Sequence, residues 1–526
     1  MKRYSIYILL SLLLGLNSCD LDFQPLDSTV DATYWKSQDD VQKAVNYAYR
    51  RLGNTDLQAF ISCATDDSYS WSNWPSDIQY AGNGSATTST GVFLNTWDQY
   101  YKMIAACNNV LDNIDKVTTL STEMYNRYSA EVRVLRAYAY IQLAGFFGDV
   151  PLIDHIQSID EFKVSRTSKS EIIDFIISEL KDVADNNYLP VSYPDSDYGR
   201  ITKGAALGLL ARAALMDSRW QTAIDASKEI ITSGNFSYGI DDNYLSLFNG
   251  TNKMSKEIML AAQYIKGTYT NPMATWIGAP SLTGWGQVVP LKGLIDAYEC
   301  VDGKTIDESP LYDPNNPTAN RDPRLALTVV LPGSSVNGVT IDITKPSSSD
   351  RLGVSNASFS GYYYRKYIPA DIEGNWDSNS YNDIVLLRYP EVLLTYAEAM
   401  VESGNPIDAS VLDAINAARE RKGVNMPPVT TTDRDELRQI IRRERHVEFS
   451  MEGIRLFDIR RWKIGEEVMK GTAYGILNNF DSSRGDYGKY VKVEDRNFNS
   501  QRDYLWPVPL NEIGLNGNLL PNNPGW

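Results

Sequence analysis

The stretch IIRRERHVEFSMEGIRLFDIRRW, residues 440–462, sets six arginines, three glutamates and an aspartate among apolar residues at helical spacing. Glu444, Glu448 and Glu452 fall four apart on one helix face, and Arg443, Arg455, Asp458 and Arg461 are placed to meet acids across a turn. Charges this dense beside this much apolar surface cannot all face water. A partly buried ion-pair network is therefore expected, with His446 inside it as a structural member. Such a network is scaffold rather than catalytic machinery.

Working outward, Asp433 with Glu436 three residues on has the form of a capping box, so a helix is expected to begin there. Upstream, 383–404 (DIVLLRYPEVLLTYAEAMVESG) and 406–422 read as a helical pair. Residues 199–234 read as another pair, in which small Ala205, Gly208, Ala211 and Ala214 let the partners approach closely, a chemistry of the tetratricopeptide type. Asp39–Leu52 reads as a first helix. Ser121–Phe147 reads as a longer one, with Val132, Leu135, Ala139 and Leu143 as its apolar stripe and Gly148 and Pro151 as its stop. The pairs are degenerate, which predicts a helical scaffold rather than a regular array. Between them lie long polar segments, 62–96, 265–382 and 471–503, and loops of that length in a compact protein are usually functional. Short strands are expected within them at Leu325–Leu331 and Gly361–Ile368.

A chain of 526 residues buries a large core, and its formal charge of -16 repels nucleic acid. The N-terminus carries Lys2 and Arg3, an apolar run from Ile6 to Leu16, and then Asn17-Ser18-Cys19, the layout of a bacterial lipoprotein signal peptide over residues 1–18. Cys19 would be the lipidated residue, and with buried acyl chains contributing about 0.8 kcal/mol per methylene it would tether the chain to a membrane. Asp20 and Asp22 fit either retention at an inner membrane or export to the surface. Without Cys19, an odd set of Cys63, Cys107 and Cys300 remains. At most one disulfide can form, and three buried thiols are expected.

Beyond the opening block, AEVRVLRAYAYIQLAGFFGDVPLI from 130, GRITKGAALGLLARAAL from 199, RDPRL at 321–325, LRYPEVLLTYAEA from 387, LWPVPLNEI and the terminal NNPGW together resemble SusD/RagB-like proteins, outer-membrane lipoproteins that bind glycans for import. The blocks run in family order from about residue 30 to Trp526, with Asn17 as a soft departure in the lipobox. The resemblance implies a mainly α fold of tetratricopeptide-like helical pairs, long irregular loops and a few short strands. Residues 19–235 would form an N-terminal helical region, and 236–526 a C-terminal region with a loop-rich insertion at 265–382. It also implies a non-catalytic glycan binder at the cell surface, partnered with a SusC-like TonB-dependent transporter and needing no cofactor.

A glycan binder needs exposed aromatic rings for sugar C–H faces, with amides, carboxylates or arginine for the hydroxyls. Of eleven tryptophans, Trp35, Trp97, Trp220, Trp462, Trp506 and Trp526 lie in framework segments, whereas Trp71, Trp74, Trp276, Trp285 and Trp376 sit in polar stretches without apolar periodicity. The TDDSYSWSNWPSD segment gathers Asp66, Asp67 and Asn73 around Trp71 and Trp74. In the family the ligand site draws on this region and on the central insertion, which holds Trp276 and Trp285. Arg365 is a candidate hydroxyl donor, and Cys300 a candidate neighbour of the site.

Two other classes compete. A glycoside hydrolase needs only two carboxyl groups flanking a sugar bond, but GxSxG, HExxH and zinc-spaced cysteines are absent, and His155 and His446 are the sole histidines. A pure interaction scaffold would use the helical pairs to hold a peptide or partner protein. Asp313, Asn315, Asn316, Asn320 and Asp322 offer oxygen ligands suited to calcium, or simply a turn, without EF-hand spacing.

Overall fold

The computed structural model describes residues 34–53, 55–371 and 380–526; Cys19 lies outside them. The architecture is mainly α. Its longer helices are α1 (Gln38–Arg50), α2 (Gly91–Leu111), α3 (Thr122–Phe147), α4 (Lys169–Asp185), α5 (Lys203–Met216), α6 (Trp220–Thr232), α7 (Tyr389–Glu402), α8 (Ala409–Arg419), α9 (Arg434–Glu448) and α10 (Arg455–Trp462). Consecutive helices from α1 to α8 pack on one another in chain order, so the scaffold is a stack of helical hairpins as the sequence implies. Among the described residues no helix is long and apolar enough to cross a membrane.

Local chemistry sets the helix ends. Ser121 Oγ accepts the Met124 amide proton at 3.2 Å to open α3, and Gly148 closes it at φ +74°. Asp433 caps α9 by accepting from Glu436 N at 2.8 Å. The expected capping box is not completed, because the Glu436 carboxylate instead takes the Thr431 hydroxyl at 2.7 Å. The segment from Asp383 departs further from the sequence reading. Its first residues are not helical but form a strand paired with 258–262, while Pro390, suited to the first turn of a helix, marks where α7 begins.

The principal strands are β1 (Ser68–Ser70), β2 (Ile258–Ala262), β3 (Val288–Pro290), β4 (Val329–Val330), β5 (Tyr363–Tyr364), β6 (Ile384–Arg388), β7 (Lys470–Leu477) and β8 (Tyr490–Asn497), and Ser335–Val336 with Val339–Thr340 adds a two-residue ladder. They pair antiparallel as β1 with β3, β2 with β6, β4 with β5 and β7 with β8. The strand expected at Leu325–Leu331 shrinks to β4, since Arg324–Thr328 forms a helical turn. The polar stretch 471–503 contains the two strands of the β7–β8 hairpin, with 478–489 as the loop between them. Cys63, Cys107 and Cys300 are free and buried.

The ion-pair network of 440–462 is almost wholly buried rather than partly so. The helix breaks after Glu448, where Met451 and Gly453 both take positive φ, so Glu452 stands on a turn yet still converges with the other two glutamates. Glu448 accepts from Arg388 at 2.8 Å, Arg324 at 2.9 Å and Arg421 at 3.0 Å. Glu444 accepts from Arg324 at 2.5 Å and Arg419 at 3.0 Å; Glu452 accepts from Arg388 and from Lys366 at 2.6 Å. Burial pushes the Glu448 carboxyl up, but the three guanidiniums outweigh it and hold it far below the usual carboxylate range. These contacts tie α9 to β6, to α8 and to the RDPRL turn.

Candidate functional site

The β1–β3 pairing joins two polar stretches that are far apart in sequence. Ser68 stands opposite Pro290, Tyr69 opposite Val289 and Ser70 opposite Val288, so the chain leaving β1 runs beside the chain entering β3. Trp71 follows β1 directly. Its Nε1 donates to the Gly286 carbonyl at 3.0 Å, and its own amide donates to Gln287 O at 3.4 Å. Trp74, 62% exposed, lies 6.0 Å from the ring of half-buried Trp285 at an interplanar angle of 40°. The Gln287 side chain holds the Trp74 carbonyl.

A third segment completes the surface. Phe359, 50% exposed, stacks on Trp71 with centroids 6.5 Å apart and planes at 22°, and Tyr69 lies 5.9 Å from the same ring. Ser358 anchors the Phe359 loop by accepting from Gly361 N at 2.9 Å and donating its own amide to Tyr363 Oη at 2.9 Å. Four rings thus come together as two contacting pairs, Phe359 on Trp71 and Trp74 beside Trp285, joined through the Trp71 indole N–H on the 285–286 main chain into a half-open aromatic strip. Asn73 lies exposed beside it, its amide donating to Tyr80 Oη at 3.3 Å. Such a strip offers stacking to a flat apolar face whose edges carry hydroxyls. It is an open surface rather than an enclosed pocket.

Several expected members are placed elsewhere. Trp276 is 4% exposed and meets Phe60 edge-on at 5.1 Å, because the MATWI helical turn directs it inward; its carbonyl accepts from Gln287 N at 2.8 Å, so it forms the floor beneath the Trp285 loop. Asp66 is held by Arg455 through two hydrogen bonds of 2.7 and 2.8 Å, and Asp67 accepts from His446 Nε2 at 2.5 Å. Both are taken up by side chains of the 440–462 block, since a carboxylate removed from water needs a hydrogen-bonding or charged partner. Cys300 is buried and bridges to Arg321. Arg365 is half-buried against the Ala326 carbonyl, 3.4 Å away. Trp376 lies outside the described residues. Phe359 was not foreseen; an exposed aromatic inside the Ser-Asn-rich run 353–361 was its signal.

Asp66, Asp67 and His446 bring ligand atoms within 4.8 Å of one another, but the contacts just described occupy all three with protein partners. Asp322 of the candidate calcium turn is likewise taken by Arg324 at 2.7 Å, and Asp313 accepts from Asn315 N at 2.9 Å.

Against known proteins, the model of the SusD family matches residues 249–526, and that of a family described as starch-binding, associating with the outer membrane, matches residues 21–215. SusD-like protein P2 of Formosa agariphila is 26% identical over the whole of both chains. The starch-binding protein SusD of Bacteroides thetaiotaomicron is 24% identical, over 80% of this chain and 76% of that one. The crystal structure of a SusD-like carbohydrate binding protein from Bacteroides fragilis superimposes with a TM-score of 0.85 at 30% identity, covering 93% of this chain and all of that one. With a family model spanning the C-terminal half and a structural relative matching nearly end to end, this chain belongs to the SusD family.

Proposed function

We propose that the protein is a non-catalytic, cell-surface binder of oligosaccharides, which lie along the strip formed by Phe359, Trp71, Trp74 and Trp285. The observation that carries this reading is the convergence of four partly open rings from three separate segments onto one surface, locked by main-chain hydrogen bonds. The printed names of the starch-binding relative and of the carbohydrate-binding structural relative support the ligand class.

The carboxylates around the strip favour binding over hydrolysis. Asp66 and Asp67 are paired as above. Asp77 accepts the Gly91 and Val92 amides at 2.7 and 2.8 Å, and Asp350 accepts from Ser281 N at 2.8 Å. Each already serves the fold, whereas a glycosidase needs two carboxyl groups facing the sugar bond. Lipidation at Cys19 would anchor the chain at the outer membrane, where the helical stack would meet a SusC-like transporter and the aromatic strip would receive the glycan for delivery.

A calorimetric screen of neutral oligosaccharides tests the ligand class. Loss of the strip's binding event in Trp71→Ala/Trp74→Ala, with a cooperative unfolding transition retained, supports the strip, and a binding isotherm unchanged from that of the unsubstituted chain refutes it. New reducing ends appearing over time would overturn the non-catalytic assignment. Recovery of a large barrel protein with the chain from membranes is the expected result of a pull-down.

A further inference from the structure

A cleft of about 720 Å³ lies between α1, the 196–200 loop and the end of β2, and shares no residue with the strip. Its volume is in the range of small-molecule sites, roughly 300–1,000 Å³. One wall carries Tyr269, which stacks on buried Tyr264 with centroids 5.0 Å apart and planes at 10°. The 265–269 turn fixes this ring, Ile265 and Tyr269 exchanging main-chain hydrogen bonds of 2.6 and 2.9 Å. Arg50 lies 5.8 Å from the ring centre.

The lining around this ring is closely packed. Gly199, at φ +90°, lies so near the Gln263 side chain that a Cβ there would collide with it. Gly53 likewise makes room for the Tyr264 hydroxyl, 2.8 Å from where its Cβ would stand. The amides of Gln42 and Gln263 line the cleft and make no hydrogen bond among the described residues.

Apart from that of Arg50, the charges in the walls are cancelled within them. Asp197 pairs with Arg127 at 3.1 Å and Arg200 at 3.3 Å, and Arg200 also pairs with Glu131 at 2.9 Å. What faces the cleft is an aromatic ring, amides that both donate and accept, and one guanidinium. A hydroxyl also both donates and accepts, so this set matches a polyhydroxylated ring better than a phosphate or a carboxylate. We propose that this cleft is a second binding site, for a neutral oligosaccharide, separate from the aromatic strip.

The test titrates the whole unlipidated chain with maltohexaose, cellohexaose, laminarihexaose and mannohexaose, with oligogalacturonate as the anionic control, by calorimetry and native mass spectrometry. In the Trp71→Ala/Trp74→Ala background, one neutral hexasaccharide is expected to keep a single site. Adding Gln42→Ala/Gln263→Ala should weaken that site by about tenfold, 1.4 kcal/mol, at an unchanged melting temperature. Tyr269→Ala, followed by circular dichroism to confirm folding, should do the same. The proposal is overturned if the strip variant binds none of the four sugars, if the cleft substitutions leave residual binding unchanged, or if oligogalacturonate binds the cleft as tightly. None of these results touches the strip, which is judged by comparing its variant with the unsubstituted chain.

Discussion

Trp71 Nε1 donates a hydrogen bond to the Gly286 carbonyl, 3.0 Å away and 215 residues along the chain. That contact orients an indole which would otherwise swing on two torsions, and it fastens the first loop to the central insertion. Trp71→Phe keeps an aromatic ring and deletes the donor, leaving the Gly286 carbonyl dependent on water. A stability loss of about 1 kcal/mol is expected in urea unfolding, together with weaker oligosaccharide binding than in the unsubstituted chain.

Glu448 is the hub of the buried network, with Arg324, Arg388 and Arg421 all within 3.0 Å. Glu448→Gln preserves shape but leaves the buried cluster one negative charge short, with Arg324, Arg388 and Arg421 sharing only Asp322, Glu444, Glu452 and Glu257. Breaking a buried pair from one side costs about 3–5 kcal/mol, so a large drop in the unfolding midpoint is expected. A loss below about 1 kcal/mol would show that the remaining carboxylates suffice to hold the three arginines.

Burial pushes the Asp66 carboxyl up, but the Arg455 guanidinium and then His446 outweigh it and hold it at about 2. The folded value lies below that of an unfolded aspartate, near 3.9, so the pair contributes stability that is complete above the unfolded value and is lost as pH falls toward 2. Urea unfolding from about pH 5 down to about pH 2 should reveal an acid-dependent loss on the order of 2 kcal/mol that is missing in Asp66→Asn.

Gly475 of β7 holds the Phe359 loop from behind. Ile476 N donates to Ser360 O at 2.7 Å, and a Cβ at 475 would collide with that same carbonyl. Gly475→Ala should therefore displace Ser360 and with it the Phe359 ring. The expected outcome is a several-fold loss of oligosaccharide affinity in titration, beyond what a remote stability change of equal size produces.

The helical stack was readable because its signals are local: apolar spacing in α3, small residues in α5, Ser121 and Asp433 as caps. The blocks that resemble the family lie on these same elements. The breaks were harder. Pro390 marks the start of α7, but the apolar run before it fits a helix and a strand equally until β2 supplies a partner. The site divides in the same way. Trp71, Trp74 and Trp285 were found because an indole in a polar stretch has nothing local to bury it. Trp276 was misplaced because its burial depends on Phe60, more than two hundred residues earlier. Asp66 and Asp67 looked like free acceptors, since their partners Arg455 and His446 stand at the other end of the chain.

The most direct measurement is a crystal structure of the protein with a bound oligosaccharide. The account predicts a sugar ring lying with its C–H face about 4 Å from Trp74 and Trp285 or from Trp71 and Phe359, and its hydroxyls toward Asn73 and neighbouring main chain. A sugar seated elsewhere, with all four rings of the strip bare, would contradict it.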